Sequence, residues 1–115
     1  MKKKDTKQSR FLNYVVNDAM VGIEDISFRP MFGGYGIYKN GVIFAIITSS
    51  KLFFKTDETN QSDFEDLGSQ PFTYARKNKS ATLSYWELPA EIMEDRKKIE
   101  QWVDKSVQIS RNSKN

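Results

Sequence analysis

Two residues near the middle of the stretch RPMFGGYGIYKNGVIFAII, Asn40 and Gly41, constrain the fold more than any other pair in the chain. Asn-Gly fills the two successive positive-φ positions of a tight hairpin turn, and the flanking runs, Tyr35 to Tyr38 and Val42 to Ile47, have strand length and composition. The second run is continuously apolar, which predicts a strand buried on both faces. Thr48-Ser49-Ser50-Lys51 then turns the chain into a third adjacent strand, Leu52 to Lys55. Just ahead of the hairpin stand three more glycines, Gly33, Gly34 and Gly36. A glycine loop that cradles phosphate must open a helix, because the anion is held by helix N-terminal amides and dipole. This one opens a hairpin, and the same objection counts against the G-x-x-G clamp of RNA-binding KH domains. The expectation is a bulge or corner between strands, with Gly33, Gly34, Gly36, Asn40 and Gly41 all acting as structural turn residues.

The rest of the chain supplies helices and a second hairpin. From Phe11 to Met20 the apolar residues Leu12, Val15, Val16, Ala19 and Met20 recur at helical spacing, and Gly22 reads as the stop. Pro30 biases Arg29 toward extended geometry, so Ser27 to Phe32 suits an edge strand or the approach to one. Asp57 to Gly68 reads as a short helix with a capping box Ser62-x-x-Glu65 and Gly68 at its C′ position. Phe72 to Ala75 and Ala81 to Glu87 form a hairpin through Arg76-Lys77-Asn78-Lys79-Ser80. Pro89 suits a first helical turn, and Ile92, Met93, Ile99, Trp102, Val103 and Val107 continue at helical spacing to about Ile109. These elements predict an α+β fold in two layers, an antiparallel sheet of about five strands with helices on one face, in the order α-β-β-β-α-β-β-α. Residues 1–7 and 110–115 are expected to be flexible ends around one domain at 8–109.

Composition excludes more than it selects. The 115 residues contain no cysteine and no histidine, which removes thiolate nucleophiles, Cys or His zinc sites, disulfides and imidazole chemistry. No G-x-S-x-G elbow is present, and a serine nucleophile would have only lysine or carboxylate for its base. No catalytic residue, metal site or cofactor is assigned, and the chain is expected not to be an enzyme. Its longest apolar run, Val42 to Ile47, is too short for a membrane span or a signal segment, so a cytoplasmic protein is expected. The net charge of +3 resides largely in Lys2, Lys3, Lys4, Arg111 and Lys114; without those five, 13 basic side chains face 15 acidic ones. A field that attracts nucleic acid would therefore belong to the ends.

Three groups remain as candidate contacts. Asp57, Glu58, Asp63, Glu65 and Asp66 crowd the short helix but lack the spacing of a calcium loop, and a solvated helix face explains them. The hairpin tip with Arg76, Lys77 and Lys79 can touch phosphate or an acidic partner, but a solvated hairpin end is the plainer reading. Tyr35, Tyr38, Phe53, Tyr74, Tyr85 and Trp86 lie on strands, where alternation turns some away from the helices. An apolar second sheet face marks a homodimer or another partner.

Taken with LFFKTDE, GSQPFTYARKNKSATLSYWELPAE and the closing helix through Trp102, the RPMFGGYGIYKNGVIFAII stretch makes residues 8–107 resemble the amino-terminal domain of the TfoX/Sxy family of competence regulators. The resemblance implies an α+β fold similar to secretion-chaperone-like domains. It implies regulation rather than catalysis, since full-length members promote transcription of DNA-uptake genes together with the cyclic-AMP receptor protein. Those members carry a second, helical domain, so the chain is expected to be a single-domain member or a fragment. Direct nucleic-acid binding, or a small ligand held near Gly33 to Tyr38, are the alternatives.

Overall fold

A computed structural model describes residues 6–31, 33–76 and 79–113, with side chains described outside 74–83. The first helix, α1 (Lys7–Tyr14), widens into a π-helical segment at Val15–Ala19, where the Met20 amide reaches the Val15 carbonyl at 2.9 Å. Four strands follow, β1 (Ile26–Met31), β2 (Gly34–Lys39), β3 (Val42–Thr48) and β4 (Lys51–Lys55). Then come α2 (Gln61–Glu65), β5 (Pro71–Arg76), β6 (Lys79–Glu87), α3 (Ala90–Met93) and α4 (Arg96–Asn112). The strands form one sheet of order β1-β2-β3-β4-β6-β5, with every neighbouring pair antiparallel. The fold is α+β, with six strands in place of about five. The additional strand is β1, an outermost strand that accommodates Pro30 because an edge strand tolerates a missing donor.

Local chemistry sets the element ends. Asn40 (φ 52°) and Gly41 (φ 81°) supply the two left-handed positions between β2 and β3. Thr6 and Ser9 form a reciprocal capping box at α1, each side chain accepting the other's backbone amide at 3.0 Å. The helix thus starts at Lys7, four residues before its apolar periodicity begins. The Ser62-Glu65 box is not used, because α2 already begins at Gln61 behind Asn60. Gly68 (φ 78°) does close that helix in a Schellman arrangement, with Gly68 N to Glu65 O at 3.0 Å and Ser69 N to Phe64 O at 3.0 Å. Asp95 caps α4 by accepting the Lys98 amide at 3.1 Å. That helix runs three residues past Ile109 to Asn112, burying Ile109 and Ser110 on the way.

All the helices pack on one sheet face. Leu12, Val15 and Ala19 from the amino-terminal helix, Phe64, Ile92, Ile99, Val103 and Val107 close over Ile37, Phe44, Ala45, Ile47, Leu52 and Phe54. Each large side chain removed from water here contributes about 1.5–3 kcal/mol. Phe44 and Phe54 meet edge to face at 5.5 Å, and Ser106, fully buried on α4, donates to the Lys55 carbonyl at 2.8 Å. A β-bulge lets β3 hold two consecutive core residues, since Ile37 pairs with Ala45 but Tyr38 pairs with Ile43, leaving Phe44 as the additional residue. No helix among the described residues is long and apolar enough to cross a membrane.

The β3–β4 turn is made without glycine. Ser49 (φ 53°) and Ser50 (φ 58°) both sit in the left-handed region, and the Gln8 side chain accepts the Ser50 amide at 3.0 Å while donating to the Gly33 carbonyl at 2.6 Å. Left-handed backbone costs a non-glycine residue about 1 kcal/mol. Ser50→Gly, which keeps the amide that Gln8 holds, is expected to raise the melting temperature by about 4 °C. An unchanged or lowered value would show that the turn carries no strain.

Candidate functional site: the open face of the sheet

Register assigns side chains to faces, because residues directly opposed across an antiparallel pair project to the same side. On the helix-free side lie Arg29 and Met31 of β1, Gly34, Gly36 and Tyr38 of β2, and Ile43 and Ile46 of β3. Lys51, Phe53 and Lys55 of β4 continue it, and Tyr85 and Glu87 of β6 sit opposite Lys55 and Phe53. Tyr38, Ile43, Ile46, Phe72 and Tyr85 are half-buried, whereas Arg29 and Lys51 are exposed. Phe53 packs against Phe72 at 5.0 Å and is 7% exposed, outside the core cluster that holds its neighbour Phe54.

The glycines shape this surface. Gly33 (φ 76°) turns the chain into β2. A Cβ built on Gly34 would overlap the Ile47 carbonyl oxygen and stand 3.2 Å from Thr48 Cα, so glycine there permits a close approach of β2 to β3. A Cβ on Gly36 would stand 2.6 Å from Met31 Sδ and 3.2 Å from Ile43 Cδ1. The missing side chain is thus replaced by Met31, Ile43 and Tyr38 leaning over the strand. Gly34 and Gly36 are strand residues, whereas Gly33, Asn40 and Gly41 hold the left-handed turn positions.

Two cations lie over two of the rings. The Arg29 guanidinium carbon is 5.5 Å from the Tyr38 centroid, and Lys55 Nζ is 5.3 Å from that of Tyr85. Burial, with a smaller contribution from Tyr38, raises the Tyr85 phenol above the ordinary tyrosine value. The ring stays neutral below pH 10, and its contribution to stability is lost as pH climbs through the raised value.

The sequence candidates separate in space. Tyr38 is on the open face, but Tyr35 pairs with Ile47 and packs against the core, with Phe28 edge to face at 6.1 Å. Trp86, opposite Phe54, also packs on the core side. Arg76 and Lys79 close the β5–β6 hairpin as backbone partners, and Lys77 lies outside the described residues. Arg29, Lys51, Ile43 and Ile46 are open-face residues not singled out from the sequence. Counting alternation outward from the Asn40-Gly41 turn would have flagged Ile43, but not the bulge that carries Ile46 to the same side.

Two shallow clefts flank the sheet. One of about 500 Å³ is lined by Gln8, Pro30, Met31, Gly33 and Tyr35, and one of about 470 Å³ by Thr56, Asp57, Gln61, Ser84 and Trp86. Among the described residues no three carboxylates converge as a metal site. Asp57 Oδ1 instead accepts the Thr59 hydroxyl at 2.6 Å and amide at 2.7 Å, and that hydroxyl bond is the main reason the carboxyl is held below its ordinary value. Its stabilising contribution is present above pH 3.8 and lost as pH falls through the lowered value. Thr59→Val is expected to bring the Asp57 pKa back up toward 3.8, read from its side-chain carboxyl signal in an NMR titration. No change would assign the lowering to the Thr59 amide, which the substitution leaves in place, and to Lys105 and Lys55.

Comparison with known proteins places the chain among relatives. Residues 18–110 match the family model described as the TfoX N-terminal domain. The chain is similar to the DNA transformation protein TfoX1 of Aliivibrio fischeri, 27% identical over 81 residues, which are 70% of this chain and 36% of that protein. It is also similar to the DNA transformation protein TfoX of Haemophilus influenzae, 35% identical over 78 residues, 66% of this chain and 35% of that protein. The chain thus spans about a third of the length of these curated relatives.

Proposed function

Since the chain belongs to the TfoX N-terminal domain family, we propose that it is a non-enzymatic regulatory domain that works by protein contact in the transcriptional control of DNA-uptake genes. The observation that carries this reading is the open sheet face, where half-buried Tyr38, Ile43, Ile46, Phe72 and Tyr85 lie on the side opposite the helices. Apolar surface of this kind is retained when something covers it. The names of the relatives, DNA transformation proteins, direct the reading toward competence. A transcription factor of the cyclic-AMP receptor protein type is the partner proposed.

Fluorescence anisotropy of a labelled competence-gene promoter duplex tests the proposal. The chain is titrated at two salt concentrations, with and without the receptor protein. Binding by the chain is expected only with the receptor protein present, and Ile46→Asp on the open face is expected to abolish it while the chain stays folded by circular dichroism. Binding by the chain alone, weakening steeply with salt, would overturn protein contact in favour of direct nucleic-acid recognition. Binding in neither case would also overturn this choice of partner.

A further inference from the structure

The open face has a floor and two walls. Along β2, Gly36 contributes no side chain and is covered by Met31, Ile43 and Tyr38, which with Ile46 of β3 make an apolar strip. Arg29 on β1 stands to one side, and Lys51 and Lys55 on β4 stand to the other. Three inter-strand spacings separate β1 from β4, about 14 Å. An α-helix, with a diameter of about 10–12 Å including side chains, fits between such walls. Glu87 is the one carboxylate at the described strand positions of this face.

We propose that this trough binds an amphipathic helix of a partner protein, its apolar stripe seated on Ile43 and Ile46 and its acidic flanks paired with Arg29 on one side and Lys51 and Lys55 on the other. The inference rests on the protein-contact reading of the open face and names the chemistry of the segment that face accepts. Three observations select this occupant. A second copy of the chain would bring three cations against three, with only Glu87 to offset them, so self-association through this face is opposed by charge. Single-stranded nucleic acid needs free ring faces for stacking, but Arg29 and Lys55 already lie over Tyr38 and Tyr85. The centre of the strip is aliphatic, and aliphatic floors accept the i, i+3, i+4, i+7 stripe of a helix.

The test is NMR titration of the isotope-labelled chain with three probes, two of them designed 18-residue peptides. One is a helical peptide with a leucine stripe flanked by glutamates, one is the same stripe flanked by lysines, and the third is an oligothymidine of 20 nucleotides. The acidic peptide is expected to move the amides of Tyr38, Ile43, Ile46 and Phe53 and to bind at least tenfold more tightly than the lysine peptide. Arg29→Glu with Lys55→Glu should invert that preference, and Lys51→Glu alone should weaken the acidic peptide several-fold, with the core amides unmoved in each variant. Equal binding of both peptides, shifts confined to another surface, or shifts produced by the oligothymidine alone would each overturn the proposal. The protein-contact reading fails separately. If receptor-dependent promoter binding is lost in Ile46→Asp but survives the charge reversals, the face binds protein and the acidic-helix assignment is wrong.

Discussion

Gly34→Ala is expected to cost more than about 4 kcal/mol and leave the chain largely unfolded at 25 °C, since the stability of a whole domain of this kind is roughly 5–15 kcal/mol. The argument does not depend on φ. Gly34 is an ordinary strand residue, and the obstacle is backbone: its Cβ would overlap the Ile47 carbonyl oxygen, with Ile47 C at 3.0 Å and Thr48 Cα at 3.2 Å. Neither neighbour can rotate away, because both belong to β3, which is paired on both sides. Gly36→Ala provides the control. Its Cβ meets the thioether of Met31 at 2.6 Å, a flexible group that can swing aside, so a cost nearer 1 kcal/mol is expected. Urea unfolding followed by circular dichroism decides between them. A Gly34→Ala midpoint equal to wild type would disprove the close approach of β2 and β3.

The second large effect contrasts adjacent phenylalanines. Phe54 is fully buried, packs edge to face on Phe44 and belongs to the core cluster. Phe54→Ala is expected to cost about 3–5 kcal/mol through lost transfer energy and the cavity left behind. Phe53 points the other way, onto Phe72 at 5.0 Å. Phe53→Ala is expected to cost under about 2 kcal/mol, while weakening whatever occupies the open face. Equal losses would mean that Phe53 is as much a core residue as its neighbour, and the two-sided reading of β4 would fall.

These contrasts bear on what the sequence could reveal. Asn40-Gly41 and Gly68 were legible because a positive φ at those positions has few alternatives, and the structure gives them φ 52°, 81° and 78°. The α+β layering was legible from periodicity alone. The Ser49-Ser50 turn was located but not its geometry, since serine advertises no left-handed preference and the Gln8 side chain that helps hold it comes from 42 residues away. Pro30 marks β1 as an edge strand or the approach to one, and the structure makes it a full outer strand, the sixth beyond the five counted. The amino-terminal helix was begun too late, because its start is set by the hydroxyls of Thr6 and Ser9, and apolar spacing is blind to those. At the candidate site, Tyr35 and Tyr38 are both candidates by residue type, yet they lie an odd number of positions apart and so face opposite ways. The apolar run of β3 suggested burial on both sides; the helices cover one side, and the other carries half-buried Ile43 and Ile46.

Pro30 also bears on how copies of this protein behave at high concentration. A sheet grows when an incoming strand finds an unbroken row of donors and acceptors along its outermost member, and such growth leads to fibres. β1 is that outermost member on one side, and the imide nitrogen of Pro30 has no hydrogen to contribute to the row. Polymerisation through this rim is therefore interrupted at the fifth position of a six-residue strand. A chain with a sticky face thus has one of its two rims made unfit for extension, and Pro30→Val is the single exchange that would restore it.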